Sequence, residues 1–234
     1  MKTIFVLFFI FYFVTARKKN LLTMVNGNSA NIKEVPFQVY YEGCSGVVFA
    51  PNKILTAAHC AGNRGYVRYG TTNISFSKYE DIEVLKSVVH PNYDEYLINN
   101  DIAILTLKKN IKEDHFIKYA KLQIEDFLPD SNLVLYGWGL TSGTKKNSDS
   151  EILQKITVDI VEEDEDYTKI IASSPTNSVC YGDSGGPGIS SDGKVTGIIS
   201  ATYSTTPDEC SPGSKVQLVK VSAYIPWILD SLNE

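Results

Sequence analysis

The feature that most constrains this chain is how short its apolar stretches are once the first two dozen residues have passed. Val47-Val48-Phe49, Ile54-Leu55, Ile102-Ala103-Ile104-Leu105 and Leu133-Val134-Leu135 are each bounded by Gly, Pro, Asn or Ser. Turn residues at such intervals leave no room for long helices, and many short strands joined by turns make an all-β fold. Ile156, Val158 and Ile160 alternate with Thr157, Asp159 and Val161, which is the period of a half-buried strand. Helical spacing is almost confined to the end. There Ser222 to Leu232 carries Ile225, Ile228, Leu229 and Leu232 on one face, with Pro226 near the start where a missing amide donor is tolerated. With 234 residues and 43% hydrophobic content the chain can bury a core of its own. The polar stretch Thr141 to Ser150 and the acidic run Glu162 to Asp166 read as exposed loops.

The first residues set the compartment. Lys2 precedes an apolar run from Ile4 to Val14, and Val14-Thr15-Ala16 offers small residues for signal peptidase, so residues 1–16 are expected to be a signal peptide cut after Ala16. That run has 11 residues, against the ~20 that a membrane-spanning helix needs. The expected protein is therefore secreted and extracellular. Four cysteines in an oxidising compartment suggest two disulfides, with three connectivities open. The formal charge is −5, and four of the 22 basic residues but no acidic one precede Met24, so a chain starting there carries −9. A surface of that sign disfavours nucleic acid and anionic membranes as partners.

The chemistry concentrates in three segments. Gly182-Asp183-Ser184-Gly185-Gly186-Pro187 places a serine in a glycine-rich turn. A serine hydroxyl is a weak nucleophile that needs a neighbouring base and donors aimed at the oxyanion formed on attack. Without a Cβ in the way, the amides of Gly182 and Ser184 can converge on one point. Of the three histidines, His59 lies in Thr56-Ala57-Ala58-His59-Cys60, where small residues leave space around the ring. His90 and His115 have the contexts of turn or surface residues. Asp101 opens the apolar strand Ile102 to Leu105, so its carboxylate is drawn inside, where it must find a partner. Such a carboxylate can fix the tautomer of a catalytic imidazole.

Together these segments resemble the trypsin/chymotrypsin family of serine proteases, from Met24 to Trp227. Pro36-Phe37-Gln38-Val39, Gly137-Trp138-Gly139 and Ala223-Tyr224-Ile225-Pro226-Trp227 complete the match, and the order His, Asp, Ser is also the family's. The resemblance implies two six-stranded antiparallel β-barrels with a C-terminal helix, the first over about 24–118 and the second over about 119–234. It implies Ser184 as nucleophile, His59 as base, Asp101 as its orienting residue, and Gly182 and Ser184 as the oxyanion hole. It also implies disulfides Cys44–Cys60 and Cys180–Cys210, each contributing about 3 kcal/mol. Residues 17–23 become a propeptide whose removal frees the Met24 amine to pair with Asp183. Thr23-Met24 departs from the family's usual basic residue and isoleucine, so cleavage there by a trypsin-like enzyme is not expected.

The resemblance further implies protein or peptide substrates, protease inhibitors as partners, a monomer, and no cofactor. Its specificity pocket would have Ser178 at the base and Thr202 and Val216 as walls, where relatives with large pockets carry glycine. Small aliphatic residues are then preferred, and Lys or Arg is not. Ser200-Ala201-Thr202 stands where the family reads Ser-Trp-Gly, and Tyr181 flanks the pocket mouth. These departures keep a second reading open: a protease-shaped binding or decoy protein. Thr71-Thr72-Asn73-Ile74-Ser75 shows no calcium ligand set. Instead it offers Asn73 as an acceptor for N-glycosylation.

Overall fold

The computed structural model describes residues 24–62, 64–125, 132–144 and 150–233. The expected signal peptide, the expected propeptide and residues 145–149 of the polar stretch lie outside them. The chain first forms the two-residue strand β1 (Asn28–Ser29), and then β2 (Gln38–Tyr41), β3 (Cys44–Ala50), β4 (Lys53–Thr56), β5 (Tyr66–Tyr69), β6 (Ile82–Val89) and β7 (Ala103–Leu107). Strands β2 to β7 close into an antiparallel barrel in the order β2-β3-β4-β7-β6-β5. Closure leaves no edge strand to be satisfied by another chain.

Six further strands build the second barrel: β8 (Asn132–Gly137), β9 (Gln154–Glu163), β10 (Lys169–Ser173), β11 (Pro187–Ile189), β12 (Val195–Tyr203) and β13 (Lys215–Lys220). They run β9-β10-β13-β12-β11-β8, and β8 returns to β9 to close the ring. Both expected six-stranded barrels are thus present. The alternation read at Ile156, Val158 and Ile160 holds, since these three are buried while Thr157, Asp159 and Val161 are exposed. The helix expected over Ser222 to Leu232 is shorter. A 3-10 turn at Val221–Tyr224 leads into α1 (Ile225–Asp230), with Pro226 in its first turn.

Neither β1 nor α1 packs only on the barrel nearer to it in sequence. Strand β1 adds to the second barrel through Asn28↔Lys155 and Ser29↔Gln154. Ile228 of α1 packs in a core cluster with Ile54, Leu105 and Val219, which spans the first barrel and the back of the second. A separate cluster, including Leu133, Leu135, Ile156, Leu218 and Met24, fills the second barrel. The shared cluster joins the barrels, so they should unfold together.

The acidic run differs from its expected loop. Glu162 and Glu163 end β9, and Glu163 pairs with the buried Lys220 ammonium at 2.8 Å. Asp164 holds the following turn by accepting from the amides of Thr168 and Lys169. Ser150, at the end of the polar stretch, is also buried, its hydroxyl donating to the Ile152 carbonyl at 2.5 Å.

The shared core makes a stability prediction. Ile104 is fully buried in β7, and Ile104→Ala should cost about 2–5 kcal/mol through lost transfer energy and the cavity left behind. Chemical denaturation should show this as an earlier transition that is still single. Two separated transitions would mean that the barrels are not coupled.

Candidate active site

The register between β4 and β7 brings the base to its partner. Thr56 pairs with Ala103. His59 lies three residues beyond Thr56, and Asp101 lies two before Ala103, so the antiparallel ladder sets them side by side at one end of the first barrel. His59 sits on a short 3-10 turn, Ala58–Cys60. The Cys44–Cys60 disulfide, with Cα atoms 6.2 Å apart, ties that turn to β3.

Asp101 is fully buried and its oxygens are satisfied from both barrels. Oδ1 accepts from the His59 amide at 2.9 Å, and Oδ2 lies 2.8 Å from His59 Nδ1. From β12, the Ser200 hydroxyl donates to Oδ2 at 2.6 Å. Burial alone would push the carboxyl up, but the hydrogen bond and charge of His59, with the Ser200 hydroxyl and the His59 amide, hold it below its ordinary value. Its contact fixes the tautomer: Nδ1 carries the proton that faces Asp101, leaving Nε2 as the lone-pair nitrogen. Ser200 was expected only on the substrate-binding strand, and its contact with Asp101 was not read from the sequence.

Ser184 lies on the turn that precedes β11. Gly182 and Gly185 have φ of +97° and +80°, values that favour glycine. Gly185 is needed for space as well, since a Cβ there would sit 2.2 Å from both the Ser45 carbonyl and the Thr56 hydroxyl. The first barrel presses on this turn, and the Ser45 amide donates to the Ser184 carbonyl at 2.8 Å. Among the described residues, the amides of Gly182 and Ser184 donate to no protein acceptor. They remain available to an incoming oxyanion.

His59 and Ser184 line the same open cavity of about 470 Å³. Val179, Cys180, Ile199, Ala201 and Thr202 form part of its wall, joined by Tyr93, Glu95 and Ile98 from the loop between β6 and β7. Thr202 is therefore on the cavity wall. Ser178 and Val216 are each only 1% exposed and are not on that wall. Val216 pairs with Thr202 across the sheet and packs into the second barrel's core, while the Ser178 amide donates to the Val25 carbonyl at 3.2 Å. Tyr181 does not fold inward. It is 56% exposed, and its hydroxyl donates to Glu209. That contact runs beside the Cys180–Cys210 disulfide, since each partner follows or precedes one of its cysteines.

The remaining sequence candidates lie away from the cleft. His90 packs edge-on against Tyr224 and Trp227, and burial lowers its pKa. His115 packs against Phe116. Asn73 is half-buried, with its carboxamide oxygen accepting from the Ser75 amide at 2.8 Å. Arg68 reaches the same loop, donating to the Ile74 carbonyl while pairing with Asp81.

Met24 and Asp183 are both fully buried. The Met24 side chain packs with Leu133 and Val179 in the second barrel. Asp183 accepts from the Gly139 amide at 2.8 Å and from the Cys180 amide at 2.9 Å. Burial pushes its pKa up to about 7, against the partial offset of those two amides. Between its ordinary value and about 7 the folded protein thus binds a proton that the unfolded chain has lost. With Thr23 still attached to Met24, stability should therefore fall by about 4 kcal/mol as pH rises from about 4 to about 7, and then level off. Asp183→Asn should remove this fall. Urea unfolding of both proteins across that range checks it, and parallel curves would refute it.

The Trypsin family model matches residues 24–228. The trypsin of Saccharopolyspora erythraea is 32% identical over 232 residues, covering 90% of this chain and 98% of that protein. The trypsin of Phaedon cochleariae is 30% identical, covering 88% of this chain and 87% of that protein. The chymase of Rattus norvegicus is 31% identical over 83% of this chain and 81% of its own. With the site geometry and these matches in agreement, the chain belongs to the trypsin family and is a serine endopeptidase.

Proposed function

We propose that the protein is a secreted endopeptidase in which Ser184, His59 and Asp101 form the catalytic triad. The Ser184 hydroxyl attacks the peptide carbonyl while His59 Nε2 takes its proton and then passes it to the leaving amine. Water repeats the sequence on the acyl-enzyme. Asp101 stays ionised, holding Nδ1–H and stabilising the imidazolium. Amides of Gly182 and Ser184 take up the developing oxyanion. The observation that carries this reading is one cavity presenting both Ser184 and a His59 ring held by a buried carboxylate.

Activation in this reading requires cleavage of the Thr23–Met24 bond. The freed amine would supply Asp183 with the cation that the two peptide amides do not. Its pairing would also reverse the cost of ionising that carboxyl. Asn73 is proposed to carry a glycan on the secreted chain.

Substrate choice follows from the wall of the cavity. Thr202 narrows it, and Val179 and Ile199 give it an apolar lining. The preferred residue at the scissile bond is therefore small and aliphatic, such as Ala or Val. Glu95 and Glu209 stand on the cavity lining, whereas Ser178, expected at the pocket base, lies off it.

Two outcomes test these assignments. A fluorophosphonate probe should label the chain that begins at Met24, and Ser184→Ala should abolish the label. Failure to label a folded, correctly cut chain would favour the binding or decoy protein. In a peptide library, cleavage should occur after Ala or Val, and Thr202→Gly should move preference toward larger side chains by roughly tenfold or more. Strong cleavage after Lys or Arg by the unmutated enzyme would overturn the pocket assignment.

A further inference from the structure

Beneath the catalytic pair lies a buried amide that the triad itself does not require. Gln217 of β13 is 2% exposed, and a carboxamide so placed must find partners for both donors and its acceptor. All three functions are met. Nε2 donates to the Ile98 carbonyl at 3.1 Å and to the Ser200 hydroxyl oxygen at 3.4 Å, while Oε1 accepts from the Tyr203 hydroxyl at 2.7 Å. The orientation of the amide follows from this pattern, because a peptide carbonyl such as that of Ile98 can only accept.

Ladder geometry explains why the amide reaches Ser200. Ile199 pairs with Leu218 and Ala201 with Gln217, so Ser200 is the extra residue of a bulge between them. A bulge re-aims the side chain it carries. The Ser200 hydroxyl turns toward Asp101, 2.6 Å away. Opposite Gln217 stands only the methyl group of Ala201.

We infer that Gln217 is a positioning residue that fixes the polarity of a relay running Tyr203 to Gln217 to Ser200 to Asp101. The amide hydrogen occupies a lone pair of the Ser200 oxygen, and the single Ser200 hydrogen is thereby committed to the carboxylate. Ile98, three residues before Asp101, is pinned by the other amide hydrogen. Tyr203 is 46% exposed, so the relay begins at the protein surface and ends under the base. The inference deepens the enzymatic reading given above and rests on it for its consequence in catalysis.

Gln217→Glu preserves size but replaces the donor by an acceptor. The new carboxylate repels the Ile98 carbonyl and draws the Ser200 hydrogen away from Asp101. Asp101 then holds its charge more fully against His59, and the imidazolium is favoured. The expected result is a rise of about 0.5–1 pH unit in the His59 midpoint, read by NMR titration of labelled histidine, of which the chain has three. In a Ser200→Ala background the same substitution should raise it by less than half as much, because no hydrogen remains to be moved. The other charged groups around His59, which are Asp101 and the cavity's Glu95 and Glu209, are common to all four proteins.

Equal increments in the two backgrounds would show charge acting through space alone and would overturn the inference, as would an unmoved midpoint. Gln217→Leu serves as the folding check. It should keep the heat-denaturation transition single and shift the midpoint less than Gln217→Glu does, since it removes the donor without offering a rival acceptor. The titration reads His59 whether or not the protein turns over substrate. A protein that fails the fluorophosphonate test but shows the non-additive shift would refute the enzymatic reading and leave the relay standing.

Discussion

Asp101 is a full negative charge with no exposed surface, placed where two barrels meet. Such a group is tolerated only when its oxygens are matched by donors held in place. The first barrel supplies the amide and ring of His59, and the second supplies the Ser200 hydroxyl. Docking of the barrels therefore completes the donor set that keeps the carboxylate charged while it is buried. If the barrels separate, Ser200 leaves and water enters. The close fit at Gly185, where the Ser45 backbone and the Thr56 hydroxyl occupy the space of a Cβ, enforces that docking from the nucleophile's side.

Asp183 shows what the same burial does without a charged partner. Both carboxylates sit among peptide amides, and both are desolvated. Asp101 adds an imidazole and stays below its ordinary pKa, whereas Asp183 has two amides and is pushed up to about 7. Two amides offset only part of the desolvation penalty. The glycines around Asp183 are part of the arrangement, since a Cβ at Gly139 would lie 2.5 Å from its carboxyl carbon. That crowding keeps the group buried while its charge is unmatched. In the activation proposed above, the freed Met24 amine would bring the cation that this acid lacks.

The all-β class was legible because it depends on local sequence, and the two barrels and the candidate triad were legible through the family resemblance that local motifs carry. Strand period, turn residues and the immediate neighbours of His59, Asp101 and Ser184 are all properties of a few adjacent positions. What depends on lateral register was not legible. Ser200 looked like a residue of the substrate strand until the bulge showed its hydroxyl aimed at Asp101. The run from Glu162 to Asp166 read as a solvated loop, yet Glu163 meets Lys220 from β13, 57 positions away by sequence number and beyond the reach of any local pattern. Gln217 lies in β13 and was not singled out by the sequence. Its buried amide meets the Ile98 carbonyl and the hydroxyls of Ser200 and Tyr203, groups that local sequence does not bring together.

The cleft's departures from the family pattern fall into one physical scheme. On β12, Ala201 presents little side chain to the groove, and across the ladder from it the longer Gln217 turns its polar end toward Ser200 and Ile98. The apolar platform expected of a substrate strand is thus exchanged for a hydrogen-bonded support beneath the base. At the mouth, the Tyr181 hydroxyl holds Glu209 beside the Cys180–Cys210 disulfide. Rim and floor are both built from bonds between protein groups, so the cavity keeps its shape without substrate. Preorganisation of this kind lowers the ordering cost of binding, and in the function proposed above the limit on substrate size lies in Thr202 and its neighbours on the wall.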